Sequence, residues 1–179
     1  MGRMTVLAVL LMTLISSSGI QTTGGALAFT APPAWKTRPA ASSMRVAEFV
    51  VPHADGDSED AELVVYYFGT GAGTVDANIN RWIGQIQQTD GSATTDKAKR
   101  STQTVNGLKL TTVDASGTYV AEMRPGATEH FNKPGFRLRA AVVDTPRGPY
   151  YIKMTGPAKT VGAADAAFAA FLGSLHFVP

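Results

Sequence analysis

The chain has 179 residues, of which 44% are hydrophobic, and it contains no cysteine. Its 16 basic and 14 acidic residues give a formal net charge of +2, which is too balanced to indicate nucleic acid or an anionic membrane as a partner. Length and composition therefore predict one domain that folds around a single core and uses no disulfide bond.

Residues Met1 to Ala28 are typical of a secretory signal peptide. Arg3 supplies the positive start, Thr5 to Ile15 forms an eleven-residue apolar core, and Ala26-Leu27-Ala28 fits the small-x-small cleavage pattern. The core is shorter than the ~20 apolar residues that span a bilayer, although an uncleaved anchor is the alternative. We expect export, to the periplasm or the medium, of a domain covering Phe29–Pro179 that has no stable membrane insertion.

The mature chain begins with an extended segment, Phe29–Ser43, which we expect to place Trp35 against the core. Alternating apolar and β-branched residues then predict a series of short strands. These strands are Met44–Val51, Glu62–Phe68, Thr102–Val105, Leu108–Asp114, Thr118–Met123, Phe136–Val143, Tyr150–Thr155 and an edge strand at Leu175–Val178. Asn106-Gly107 is the strongest hairpin signal among their connections, and Ser116-Gly117 predicts a second turn.

Two helices are predicted among these strands. The first covers Val75–Gln88, with Thr74 as its N-cap, Trp82 in the middle of its apolar arc and Gly84 in its interior. The second covers Ala163–Leu172, and Gly173 is placed to terminate it. The early helix is the most clearly amphipathic segment of the chain.

Most connections between the predicted strands are too short for parallel crossovers, which need a dozen or more residues. We therefore predict the α+β class, with a mainly antiparallel sheet, one early inserted helix and one C-terminal helix.

This order of elements resembles the PsbP-like α/β/α sandwich superfamily, which includes an extrinsic photosystem II subunit, a Ran-binding nuclear transport factor and mycobacterial exported lipoproteins. Several short segments also look like a group of uncharacterised exported bacterial proteins: Met44–Ala47, Asn78–Trp82, Tyr151–Pro157, Phe168, Phe171 and Ser174-Leu175. The resemblance implies a PsbP-like sandwich. It implies no activity, because these folds carry unrelated binding roles.

A glycine-rich stretch, Gly69–Gly73, lies between a strand and the first helix. It lacks the dinucleotide fingerprint, because Thr74 stands where the last glycine belongs, and it lacks the Gly-Lys-Ser/Thr of a P-loop. Free amides at a helix N-terminus still bind anions, which makes Gly71, Gly73 and Thr74 candidate ligand-binding residues. The alternative is a plain turn between strand and helix.

The acidic segment His53–Asp60 places carboxylates at alternate positions, as in the first half of an EF-hand. The glycine at the sixth position and the glutamate at the twelfth are both missing, because Asp60 and Tyr66 stand there. The favoured interpretation is a solvated hairpin tip, and the alternative is a weak divalent-cation site formed by His53 with Asp55 and Asp57. We therefore predict no metal site.

The long loop Arg124–Gly135 is the third candidate, because loops of this length in compact domains are often functional. His130 in this loop and Lys153 on a later strand are candidate ligand-binding residues. Glu129 could add an acid–base group, but nothing in the sequence identifies its partner. We therefore predict no catalytic residue.

We predict an exported, non-catalytic binding or interaction module that uses no cofactor and binds an unknown protein or small ligand, but not nucleic acid. The alternative is an exported hydrolase or small-ligand-binding enzyme that uses the 124–135 loop beside Lys153. Ala77 and Gly84 share one exposed side of the predicted helix, which suggests self-association through that side.

Overall fold

The computed structural model describes residues 19–20 and 26–179. Its strands, in chain order, are β1 (Gly19–Ile20), β2 (Ala26–Thr30), β3 (Lys36–Arg38), β4 (Arg45–Val51), β5 (Ala61–Tyr67), β6 (Ile86–Gln87), β7 (Lys99–Val105), β8 (Leu108–Tyr119), β9 (Lys133–Asp144), β10 (Tyr150–Pro157) and β11 (His176–Val178). Its helices are α1 (Val75–Ile83), α2 (Thr94–Lys97), α3 (Ala158–Ala163) and α4 (Asp165–Gly173), and a 3₁₀ turn covers Gly69–Gly71.

The strands form one large sheet and one small one. The large sheet has eight strands in the order β3-β4-β5-β10-β9-β8-β6, with β7 beside β8, and the small sheet has the order β1-β2-β11. Every pairing is antiparallel. The predicted α+β class with a mainly antiparallel sheet is therefore confirmed.

The large sheet has a hydrophobic cluster on each face, because successive side chains of a strand point to opposite sides. Tyr151 and Ile152 are neighbours on β10, and each is buried in a different cluster. Helices α3 and α4, with the small sheet, cover the side of Ile152, which we call the α3/α4 face. Helix α1 packs on the side of Tyr151, which we call the α1 face.

The cluster on the α3/α4 face is the larger and contains most of the buried aromatic rings. Phe171 on α4 lies 5.1 Å from Phe29, 5.5 Å from Trp35 and 6.3 Å from Phe49, measured between ring centroids. Trp35 is 7% exposed, so the prediction that it packs against the core is confirmed. The smaller cluster on the α1 face is built around Trp82, which is 4% exposed and therefore a core residue, as predicted.

Helix α1 is shorter than predicted, and the prediction that it reaches Gln88 is wrong. It ends at Ile83, Gly84 is its C-cap, and Gln85 donates a 3.0 Å hydrogen bond back to the Trp82 carbonyl. The next residues form β6, which pairs with the end of β8. Ile86 is buried as a residue of this strand. Its apolar side chain matched the helical pattern in the sequence, although the residue lies outside the helix.

Strand β8 continues through Ser116-Gly117, where a turn was predicted, and that prediction is wrong. A glycine is needed here because β6 passes very close to the strand. A Cβ on Gly117 would overlap the Gln87 carbonyl oxygen and lie 2.8 Å from Ile86 Cγ2. The Ser-Gly pair therefore marks a close approach between strands rather than a change of direction.

The C-terminal helical region also differs from the prediction of one helix that ends before Gly173. It consists of α3 and α4, and the break falls at Ala164, whose φ of −87° and ψ of 2° depart from helical geometry. Gly173 is the last residue of α4, and Ser174 is the C-cap. The alanine-rich composition concealed this break, because alanine suits both halves.

The predicted hairpin at Asn106-Gly107 is confirmed. Both residues have positive φ, 48° for Asn106 and 82° for Gly107, as a type I′ turn requires. The Asn106 amide also donates hydrogen bonds to the carbonyls of Leu175 (2.9 Å) and Gly173 (3.2 Å). The turn thus fixes the register of β7 and β8 and attaches their hairpin to the chain that follows α4.

Most of the predicted signal peptide lies outside the described residues. Its last three residues, Ala26–Ala28, belong to β2 and pair with β11, and Leu27 is fully buried. Cleavage after Ala28 would remove them from the small sheet, so the start of the mature chain at Phe29 stays a prediction. Among residues 19–20 and 26–179, no helix combines the length and apolar character needed to cross a bilayer.

Candidate functional site

Lys153 lies on the α1 face, on the part of the sheet beyond the helix. It follows Tyr151 by two residues on β10 and therefore points to the same side. Its neighbours across the sheet are Val64 on β5 and Ala140 on β9, and both have short side chains. A long cationic side chain therefore rises from a floor of small residues and is itself half-buried.

The Lys153 ammonium makes hydrogen bonds to neutral groups only, among the residues that the structure describes. It donates hydrogen bonds to Gln85 Oε1 at 3.3 Å and to the Tyr119 hydroxyl at 3.4 Å, and it lies 5.7 Å from the centroid of the Tyr119 ring. Among the residues that the structure describes, Lys153 takes part in no ion pair. Burial lowers the pKa of Lys153 to about 8; the charge of Glu62 opposes this shift and those of Arg81 and Arg45 add to it.

Two arginines and two glutamates next to Lys153 neutralise each other. Glu48, which is 1% exposed, accepts a 3.0 Å contact from Arg45, a 3.4 Å contact from Arg38 and a 2.5 Å hydrogen bond from the amide of Ala41. Both arginines also pair with Glu62. Burial opposes the ionisation of Glu48, but the Ala41 amide and Arg45 outweigh it, so the pKa of Glu48 is lowered.

Tyr66 lies between this group of charges and the core of the α1 face. The Arg45 guanidinium lies 5.5 Å from the centroid of its ring, and the ring stacks on Phe68 at 5.7 Å. Burial raises the pKa of Tyr66, although Arg45 opposes that shift. Tyr66 therefore presents a neutral phenol at neutral pH, which both donates and accepts hydrogen bonds.

Tyr119 is the centre of a stacked aromatic group on the other side of Lys153. Its ring centroid lies 5.6 Å from Phe131 and 6.1 Å from Phe136, with interplanar angles of 26° and 16°. The Lys133 ammonium lies 5.6 Å and 5.2 Å from the rings of the two phenylalanines and pairs with Glu59. Burial raises the pKa of Tyr119 to about 12, so this phenol is also neutral at neutral pH.

An open concavity of about 420 Å³ adjoins this aromatic group. It is lined by Gly84, Gln87, Val120, His130 and Phe131. Gly84 and Gln87 flank Gln85 in sequence, and Val120 follows Tyr119, so the lining comes from the segments that carry both neighbours of the Lys153 ammonium. The concavity thus lies at the C-terminal end of α1.

The structure places His130 and Lys153 at this same end of the α1 face. His130 is exposed, and its Nδ1 lies 3.0 Å from the carbonyl of Thr128 in its own loop. His130 does not contact Lys153 directly. The two residues are connected through Tyr119, which accepts a hydrogen bond from Lys153 and stacks on Phe131, the residue that follows His130. The two candidate residues are neighbours of one site, but they are not a hydrogen-bonded pair.

The other three candidates, Gly71, Gly73 and Thr74, lie at the opposite end of α1. The Thr74 hydroxyl accepts a 3.1 Å hydrogen bond from the Ala77 amide, which confirms the predicted N-cap. Helix α1 has nine residues, so its two ends are about 13 Å apart. The glycine-rich turn therefore does not belong to the site around Lys153.

The acidic segment His53–Asp60 connects the antiparallel strands β4 and β5 and is mostly exposed, so the expectation of a solvated hairpin tip is confirmed; in addition, the segment is attached to α3. The Asp57 carboxylate accepts hydrogen bonds from the amide of Thr160 at 2.9 Å and from its hydroxyl at 2.6 Å. Asp60 lies 2.7 Å from His53 Nδ1. Within the described part of the chain, no three histidine, cysteine or acidic residues are grouped as metal ligands would be.

Sequence reasoning found Lys153 but missed the residues around it. Tyr66, Tyr119, Arg45 and Arg81 come from four different elements, and Gln85 lies in the connection between α1 and β6. The alternation of side chains along a strand shows which residues of β5 share a face with Tyr66 and which residues of β10 share a face with Lys153. Only the pairing of β5 with β10 shows that Tyr66 and Lys153 lie on the same face of the sheet.

Comparison with solved structures shows that the chain has a PsbP-like fold. CyanoP, the cyanobacterial PsbP of Synechocystis sp. PCC 6803, superposes with a TM-score of 0.56 at 14% identity and covers 96% of this chain and 99% of its own. LpqN, a protein involved in cell envelope biogenesis of Mycobacterium tuberculosis, has a TM-score of 0.56 at 10% identity and covers 90% of each chain. No protein-family model matches the sequence, and no curated protein is significantly similar to it. The resemblance to the PsbP-like superfamily is confirmed as a likeness of fold.

Proposed function

We propose that this chain is an exported, non-catalytic binding module whose ligand occupies the end of the α1 face beside Tyr119. The observation that carries the proposal is the stacked group of Tyr119, Phe131 and Phe136, with the ammonium groups of Lys133 and Lys153 over its rings, at the edge of an open concavity. Aromatic walls with a few oriented polar groups are typical of ligand sites.

The polar groups near the concavity support binding rather than catalysis. A general acid or base needs a partner within hydrogen-bond reach of the reacting atoms. His130 contacts a carbonyl of its own loop, and Glu129 lies 3.9 Å from Arg124 on the exposed side of the same loop. The groups therefore interact with their own loop and not with Lys153, which disfavours the hydrolase alternative.

Export is supported by the pattern of Met1–Ala28, which is typical of a secretory signal peptide. LpqN, which shares the fold, is itself described as involved in cell envelope biogenesis. Fractionation of cells that express the full chain tests this part. We expect the protein outside the cytoplasm, and its retention inside would contradict export.

Binding is tested by amide chemical-shift mapping with a library of small carboxylates, phosphates, sugars and planar aromatics. We expect the hits to shift the amides of Gly84, Val120 and Phe131. Phe131→Ala should weaken their affinity at least tenfold, because it removes one wall of the concavity. Met123→Ala is the matched control, because Met123 lies in the same loop and is 51% exposed.

Two results would contradict the proposal. The first is a set of hits that all map to the α3/α4 face, or equal affinity in Phe131→Ala and Met123→Ala. The second is turnover of an ester, phosphate or glycoside substrate that disappears in His130→Ala, because that result supports the hydrolase alternative.

A further inference from the structure

The charges around Lys153 do not balance. Glu48 and Glu62 are matched by Arg38 and Arg45 in one network of ion pairs. Arg81, whose charge acts on both Lys153 and Tyr66, donates its hydrogen bond to the neutral Asn78 Oδ1 at 2.9 Å. Two positive charges, those of Lys153 and Arg81, are therefore in excess on this part of the α1 face.

The Lys153 charge is unfavourable for the protein alone, because its side chain is half-buried, whereas Arg81 is exposed and keeps its hydration. A charge taken from water needs a close counter-ion and hydrogen bonds to offset its lost hydration. The contacts of the Lys153 ammonium, at 3.3 Å and 3.4 Å, are long, and both acceptors are neutral. The floor of Val64 and Ala140 could accept an uncharged side chain of the same length, so the fold does not require a lysine here.

The surrounding groups are hydrogen-bond donors that suit an anion. Lys153 lies opposite Val64, so Tyr66, two residues further along β5, is its diagonal neighbour on the same face, and α1, which carries Arg81, packs on that face beside Tyr66. Ammonium and guanidinium groups make their strongest hydrogen bonds to carboxylate and phosphate oxygens. A bound oxyanion would supply the counter-charge that the described residues do not provide.

We infer that Lys153, with Arg81 and Tyr66, binds an oxyanion, a phosphate or carboxylate group, of the ligand that occupies the concavity beside Tyr119. This inference rests on the function proposed above and names the chemical class that its ligand carries. The aromatic group would contact the uncharged part of the ligand, and Lys153 would bind its anionic end.

The experiment measures the pKa of Lys153 directly, by NMR of protein labelled at the lysine side chains. Because an anion binds the protonated ammonium more tightly, its binding must raise the pKa of Lys153. Inorganic phosphate and acetate are titrated separately at constant ionic strength, with sodium chloride as the reference. We expect the Lys153 pKa to rise in at least one arm, and the arm with the larger rise identifies phosphate or carboxylate.

Two variants separate a specific site from general charge screening. Lys153→Met should reduce oxyanion affinity at least tenfold, while Lys153→Arg should keep part of it, because arginine preserves the charge. Lys109→Met removes the same charge from an exposed position on β8 and should change nothing. Retention of the chemical-shift dispersion of the wild type confirms that each variant is folded.

The inference is overturned if neither oxyanion raises the Lys153 pKa beyond the chloride reference, or if Lys109→Met and Lys153→Met lose affinity equally. Its failure is distinct from that of the proposed function. Neutral library compounds that still bind at Phe131 while both oxyanions fail would leave the binding module intact and reject only the oxyanion site.

Discussion

The two faces of the large sheet differ in whether their half-buried cationic side chains have carboxylate partners. On the α3/α4 face, Arg137 makes a bidentate contact with Asp114, at 2.8 Å and 2.6 Å, and a 3.1 Å contact with Asp165. These carboxylates raise the pKa of Arg137, although burial opposes the shift. On the α1 face, the side chain of Lys153 is also half-buried but has no carboxylate partner among the described residues.

A second concavity lies on the α3/α4 face, and the charged residues that line it are paired. This concavity, of about 320 Å³, is lined in part by Arg139, Asp114 and Phe168. Arg139 lies 3.8 Å from the Asp114 carboxylate and 4.6 Å from the centroid of the Phe168 ring, so its charge is already paired within the protein. A face with paired charges and a complete aromatic core is structural, whereas the α1 face is the one on which we propose that a ligand binds.

Phe171→Ala removes packing from the α3/α4 face and should lower the free energy of unfolding more than any other substitution considered. It removes a fully buried ring that contacts three other aromatic rings on two strands and one loop. We expect a loss of about 4–5 kcal/mol in the free energy of unfolding, at the upper end for deletion of a buried aromatic. Urea melts followed by circular dichroism measure it. A loss below about 2 kcal/mol would show that this core collapses around the cavity.

Trp82→Ala is the corresponding change on the α1 face. Trp82 belongs to α1 and packs edge-on against Tyr151 on the sheet, with the ring centroids 6.1 Å apart. We expect a loss of about 3 kcal/mol, smaller than for Phe171, because one helix of nine residues can shift to fill part of the space. Urea melts under the same conditions allow the direct comparison. A loss equal to or larger than that of Phe171→Ala would contradict the asymmetry between the faces.

Lys153→Met should stabilise the protein at neutral pH, in contrast to both aromatic variants. The folded-state pKa of about 8 lies below the ordinary value of 10.5, so the fold disfavours the charged lysine. Below pH 8 the wild type carries this penalty, which is at most about 3 kcal/mol at ~1.4 kcal/mol per pKa unit. We therefore expect Lys153→Met to be more stable by about 1–3 kcal/mol at pH 7.

The pH dependence provides a sharper check than the value at one pH. Between pH 8 and 10.5 the unfolded lysine binds more protons than the folded one, so the stability of the wild type rises relative to the variant. The groups that face Lys153 are Glu62 and Tyr66 on β5, Tyr119 on β8, Arg45 on β4 and Arg81 on α1. All of these groups are present in both the wild type and Lys153→Met, so the difference between the two proteins reports the titration of Lys153. A difference in unfolding free energy that stays constant from pH 7 to 10 would contradict the assignment.

The sequence was enough to predict those features that are determined by residues close to them along the chain. The Asn106-Gly107 turn, the Thr74 cap and the burial of Trp35 and Trp82 were predicted for this reason. The predictions that failed depended on distant neighbours. Gly117 is a glycine because β6 crosses there, and nothing in the adjacent sequence shows that approach.

The candidate site follows the same rule. Lys153 could be named from the sequence because it is the one charged residue of its strand. Its surroundings could not, because Gln85 reaches it only after α1 ends at Ile83, and the predicted helix continued past that residue. Tyr119 reaches it only because β8 continues through Gly117. The two errors in secondary structure therefore concealed the two closest partners of the ammonium.

Gly84 gives the smallest expected effect on stability and tests the α1 face most specifically. It is not inside a helix, as predicted, but at the C-cap, with φ −64° and ψ −14°, a conformation that alanine also adopts. A Cβ there would lie 3.5 Å from the carbonyl oxygens of Asn80 and Arg81, an ordinary contact. Gly84→Ala should therefore raise the unfolding free energy by about 0.5 kcal/mol, through the lower entropy of the unfolded chain.

The larger substitution Gly84→Leu separates two roles for this residue, because Gly84 also lines the concavity. A leucine would partly fill it, so we expect binding of library compounds to fall at least tenfold while Gly84→Ala retains most of it. Self-association through Ala77 and Gly84 is tested on the same variants by sedimentation equilibrium. A wild-type dimer that dissociates in Gly84→Leu would support that prediction. Unchanged library binding in Gly84→Leu would instead remove the concavity from the proposed ligand site.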